Sequence, residues 1–185
     1  GGAIRNAAGS LSITESTISG NSASGAGGIS NSYGTISINT STLSQNSGRF
    51  VGGISNFRGT LSIADSTLSE NSSGENGGAV FNDKSTLSIT GSTIIGNSAA
   101  KGSGGGIWDR DSSVTIRDTT FASNSSATVG GGVLSSNSSL SIANSQFLSN
   151  SASSGGELAD LQEMTAIGSS FFSMDTAEFG EGSIL

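Results

Sequence analysis

The sequence predicts an all-β chain wound as a right-handed parallel β-helix, a solenoid of about 25–26 residues per coil with seven coils, the last degenerate. Three observations predict it. Glycine pairs return at Gly1-Gly2, Gly27-Gly28, Gly52-Gly53, Gly77-Gly78, Gly105-Gly106, Gly131-Gly132 and Gly155-Gly156, in steps of 26, 25, 25, 28, 26 and 24 residues. Between the pairs, short alternations of apolar and polar residues recur at matching offsets. An Asn closes each of the first six copies, at Asn21, Asn46, Asn71, Asn97, Asn124 and Asn150.

Each copy reads as three short strands. The first follows the glycine pair and places Ala3, Ile29, Ile54, Ala79, Ile107 and Val133 inward. The second has period two, as in Leu61-Ser-Ile63 and Leu87-Ser-Ile89, with strands expected near 11–14, 36–39, 61–64, 87–90, 114–117 and 140–143. The third turns Ile18, Leu43, Leu68, Ile94, Phe121 and Phe147 inward, three residues before the Asn. Strands this short cannot bury one apolar face alone, so copies must stack in parallel at about 4.8 Å. Residue 63 should then neighbour 38 and 89. A recurrent Asn suits a bend in such a stack, because its amide donates and accepts along the axis; the six are expected to form a structural ladder.

Composition narrows the chemistry. Gly 29 and 32% hydrophobic residues suit a linker-like polymer, but the period and the absence of Pro oppose that reading. Without Cys or His the chain lacks disulfides, imidazole bases, serine-protease-type triads and the usual zinc ligands. No cofactor or metal is implied. The net charge of −7 excludes a basic nucleic-acid footprint, and no apolar run reaches the roughly 20 residues that span a bilayer. The chain starts at a repeat boundary without Met, and reads as a mature product or an excised piece.

Gly-Gly-Ala-Ile at residues 1–4 and Gly-Gly-Ala-Val at 77–80, with Phe121-x-x-Asn124 and Phe147-x-x-Asn150, resemble the GGA(I/L/V) and FxxN repeats of chlamydial polymorphic outer-membrane proteins. They are also similar to the wider group of bacterial right-handed β-helix surface proteins. The resemblance covers about residues 1–155 and implies a secreted β-helical passenger, often an adhesin.

Residues 156–185 carry six acids and no base, and are expected to form a degenerate last coil and acidic cap after the regular coils of 1–155. Residues 157–164 suggest a short helical turn, Ile167 and Phe172 the inward positions, and Asp175 a substitute for the Asn. The end Phe179-Gly-Glu-Gly-Ser-Ile-Leu185 resembles the start of another coil.

Four surface features invite a functional reading. Asp83, Lys84, Asp109, Arg110 and Asp111 gather charge, and Arg58, Asp83 and Asp111 share an offset that predicts stacked salt bridges on a turn. Val80, Trp108 and Leu134 are expected to face outward as an apolar strip across adjacent coils, a contact surface unless a loop or the tail covers it. The second strand presents outward hydroxyls such as Thr60 and Ser62. Asn39, Asn71, Asn124 and Asn137 begin glycosylation triplets, of which two fall in the Asn column.

The function expected is a non-enzymatic extracellular scaffold, a passenger or stalk segment of a bacterial surface protein that meets a host or neighbouring-cell surface protein or glycan. A head-to-tail filament built by end-to-end stacking, a polysaccharide-binding or polysaccharide-degrading β-helix, and an ice-binding protein are the alternatives.

Overall fold

A computed structural model of the chain describes residues 1–160, 164–172, 178–179 and 183–184. It is a right-handed parallel solenoid. Every described strand pair is parallel and joins equivalent residues of successive coils, as the short strands require. Ile63 sits between Ile38 and Ile89, and the second-sheet strands run Ser10–Thr14, Thr35–Asn39, Thr60–Ala64, Thr86–Thr90, Ser113–Arg117 and Ser139–Ala143. Their inward residues form a thin continuous core. Ile36, Ile38, Leu61 and Ile89 are fully buried, and in the third sheet the Phe121 and Phe147 rings stack at 4.8 Å.

The coil differs from the expected three strands by having four. After the Asn, two-residue strands such as Ser47–Gly48, Ser72–Ser73 and Ser98–Ala99 pair across coils as a fourth sheet. They carry no apolar alternation, so periodicity cannot reveal them. Corners are made by single residues with positive φ, including Tyr33, Arg58, Lys84, Asp111 and Asn137 between the first and second sheets. The left-handed region turns the chain sharply but costs a non-glycine residue about 1–2 kcal/mol, which cross-coil hydrogen bonds must offset.

The first-strand column also needs correction. It runs Ile4, Ile29, Ile54, Val80, Ile107, Val133 and Leu158, so Ala3 and Ala79 lie one position before it. The repeating step is glycine followed by a small residue, Gly2-Ala3 and Gly78-Ala79 standing where other coils have Gly-Gly. The first position admits nothing larger: a Cβ on Gly105 would lie 2.3 Å from the Ser125 carbonyl oxygen. In the last such step, Gly156-Glu157, a long side chain occupies the second place.

The tail departs from expectation in register. Leu158–Asp160 and Met164–Ile167 are strands, not a helical turn. Met164 and Ala166, rather than Ile167, align with Leu140 and Ile142, and Phe171, rather than Phe172, aligns with Phe147. Six residues separate Leu158 from Met164 where seven separate Val133 from Leu140, and a one-residue change shifts the phase of a period-two strand. Ile184 pairs with Ala166 in the second sheet instead of opening a first strand. Asp175 lies outside the described residues.

Candidate functional site

The Asn residues of the six closing positions form a ladder through the third-to-fourth-sheet corner. In each step the backbone N–H and Nδ2 of one Asn donate to Oδ1 of the next, as from Asn71 to Asn97 at 2.9 Å for both. The same Nδ2 donates backward to a carbonyl, that of Leu43 for Asn71. Asn46, Asn71, Asn97 and Asn124 are fully buried, with every amide atom partnered. The glycosylation triplets at Asn71 and Asn124 are therefore closed to modification in the fold, whereas Asn39 and Asn137 are exposed.

The ladder ends on Glu157. Its Oε2 accepts from both N–H and Nδ2 of Asn150, taking the place that an Asn of the next coil holds elsewhere. The carboxyl group is buried, Oε1 has no partner among the described residues, and desolvation raises its pKa against the pull of Asn150.

A second ladder, not anticipated from the sequence, runs through the first sheet: Asn6, Asn31, Asn56, Asn82 and then Asp109. Its signal is an Asn two residues after the first-strand apolar residue. The misplaced glycine step concealed it. Asp109 is fully buried and its Oδ1 accepts from Asn82 Nδ2 at 2.7 Å, but Oδ2 has no partner among the described residues. The nearby hydroxyls of Ser112 and Ser138 already donate to the carbonyls of Arg110 and Ser136. Burial pushes the Asp109 carboxyl upward, opposed by the Asn82 hydrogen bond. Ser135, next in the column, has a buried Oγ that also finds no partner among the described residues.

The charge cluster thus disperses. Asp109 belongs to the interior. Asp83 is almost buried and is held in a two-point pair by Arg110, Nη2 at 2.7 Å and Nε at 3.1 Å. The expected stack of Arg58, Asp83 and Asp111 is not formed: Asp83 aligns with Phe57 and Arg110, while Arg58, Lys84 and Asp111 share the adjacent corner column. Among the described residues no three acids converge as a metal site.

The outward strip keeps Trp108 and Leu134 in one column and is displaced by one residue only at Val80. Val80 is fully buried in the core column, and Phe81 takes its expected place, stacked on Trp108 at 4.6 Å. Arg110 lies over both rings, at 5.9 and 5.5 Å, and Leu134 is only 6% exposed. The result is a half-covered aromatic and cationic ledge, rather than a purely apolar strip.

Beside it, the corner between the first and second sheets opens into a groove of about 420 Å³ that crosses four coils. Tyr33, Arg58, Lys84 and Asp111 form one wall; the other is made by the first hydroxyl of each second-sheet strand, including Thr60 and Thr86. Tyr33 is 59% exposed and meets Phe57 edge-to-face at 5.8 Å. The Arg58 guanidinium lies 5.2 Å from the Phe57 ring and 5.9 Å from Tyr33. Asp111 accepts from Asn137 Nδ2.

The family model for a right-handed β-helix region matches residues 1–172. The chain belongs to that right-handed β-helix family. No curated protein and no solved structure gives a significant match. Enzymatic and non-enzymatic β-helices share this architecture, so the family fixes the wall and leaves the chemistry to its side chains.

Proposed function

We propose that this β-helix is a non-enzymatic adhesive scaffold, a segment of a bacterial cell-surface protein that presents lateral faces to a partner. The observation that carries the proposal is the fate of the acids. Asp109 completes an interior hydrogen-bond column and Asp83 is locked onto Arg110, so neither is free to act as a general acid or base. Glycoside hydrolysis by paired carboxylates needs two such groups facing one bond, with environments that separate their pKa values. Among the described acids, Asp111 alone borders the groove. The outer surface offers instead an aromatic ledge at Phe81 and Trp108 and a polar groove, features suited to contact. The resemblance of the glycine and FxxN repeats to surface passengers supports the extracellular setting.

The test is incubation with acidic and neutral polysaccharides, with and without Ca²⁺, followed by assay for new reducing or unsaturated ends. No release of ends is expected. Release that disappears in Asp111→Asn would overturn the scaffold reading.

A further inference from the structure

We propose that the interior column of the first sheet holds a calcium ion between the fifth and sixth coils, bound by Asp109 Oδ2 and Ser135 Oγ. The site lies inside the wall and is independent of what the outer faces contact. The column runs Asn6, Asn31, Asn56, Asn82, Asp109, Ser135 and Asp160, each paired in register with the next. From Asn6 to Asn82 each Nδ2 donates to the side-chain oxygen of the following residue, at 2.7 or 2.8 Å. At Asp109 this alternation of donor and acceptor stops, because a carboxylate oxygen stands where Asn carries an N–H. Asp109 Oδ2 and Ser135 Oγ are both buried, and neither bonds the other or any other described residue.

The hydroxyls beside this carboxyl have no proton to spare for it. Ser112 and Ser138 adjoin Asp109, but the Ser112 hydroxyl donates to the Arg110 carbonyl at 2.6 Å and the Ser138 hydroxyl to the Ser136 carbonyl at 3.0 Å. Each also accepts a backbone N–H, from Ser85 and Ser112 respectively. What these two oxygens have left is lone pairs. A buried carboxylate facing oxygen lone pairs needs a compensating positive charge. Ser135 is shorter than the Asn residues of the column by a carboxamide, and the ion takes that room. The donors are hard oxygens, which suit calcium and not zinc; magnesium sheds its water reluctantly, which a dry interior disfavours. Asp160 holds the register position after Ser135, so the column places an acid on either side of it, and two acids match a divalent ion rather than sodium.

Because the site is enclosed, the ion is loaded during folding. The full chain is refolded from urea in calcium, magnesium or sodium at matched ionic strength, desalted and assayed for retained metal by atomic emission. Thermal unfolding followed by circular dichroism is then measured across a range of calcium concentrations. One equivalent of calcium per chain is expected, with a Tm that rises with calcium concentration. Asp109→Asn should retain none and unfold at a temperature independent of calcium. In chelator, where Oδ2 lacks a partner among the described residues, Asp109→Asn should be the more stable chain, so its loss of calcium is not a failure to fold. Ser135→Ala should lower calcium affinity about tenfold, as for loss of one contact to a charge. Asp111→Asn, at an exposed acid two residues on, should load as the parent does. The proposal is overturned if the parent retains no calcium, if Asp109→Asn retains as much as the parent, or if magnesium or sodium stabilises equally. Stability that follows pH and ignores calcium would put a proton on Oδ2 and overturn it too. None of these outcomes bears on the polysaccharide assay, which tests the scaffold reading by itself.

Discussion

Replacing Asp109 by Asn should stabilise the protein, and by more at neutral pH than in acid. The side chain is fully buried at the end of the Asn6–Asn82 column, where among the described residues Oδ2 and the Ser135 Oγ are both without partners. Asn supplies the missing N–H while keeping the acceptor that Asn82 uses. A buried polar group left unsatisfied costs about 1–3 kcal/mol, more when charged, so Asp109→Asn should gain roughly that amount at pH 7. In a chain of this size that is about 3–10 °C in Tm. The sign of the pH dependence follows from the raised carboxyl. Below the unfolded-state value of about 3.9 the group is protonated in both states, and its contribution to stability is fully present. As pH rises, the unfolded chain ionises first and stability is lost until the folded-state value is passed. The gap between variant and parent should therefore be small near pH 4 and widen toward pH 7. Urea denaturation read by circular dichroism and by the single Trp, one residue from the substitution, measures it. An Asp109→Asn chain no more stable than the parent at pH 7, or a gap independent of pH, would refute the reasoning.

Glu157→Gln should act in the same direction, since Oε1 lacks a partner among the described residues and burial raises the carboxyl; its gain should appear as pH rises above about 4.3 and be read in the same titration. Glu157→Gly restores the small residue of other coils but removes the acceptor from Asn150, and denaturation should show a loss of about 1–3 kcal/mol. Asn71→Ala strips an acceptor from Asn46 and a donor from Asn97 and Leu43, for about 3–5 kcal/mol; a double-mutant cycle with Asn97→Ala should reveal strong non-additivity. Phe147→Ala should cost about 3–5 kcal/mol in the same denaturation assay by opening a cavity beside Phe121.

The sequence by itself determined the parallel solenoid, its period, the second and third strands and the Asn column that ends on Asn150, because those elements repeat with the same spacing in every regular coil. The tertiary structure alone decided what hangs on a single residue of register. Gly-Gly-Ala and Gly-Gly-Ile look equivalent in the sequence, yet cross-coil hydrogen bonds align Ala79 with Gly106 and send Val80 inward and Phe81 outward. The same slip hid the second ladder, the column that Asp109 joins after Asn82. A separate change misplaced the last coil, where a spacing shortened by one residue puts Met164 in register with Leu140. In a strand of period two, one residue of slip exchanges the faces, and only pairing with the neighbouring coils fixes which face is in.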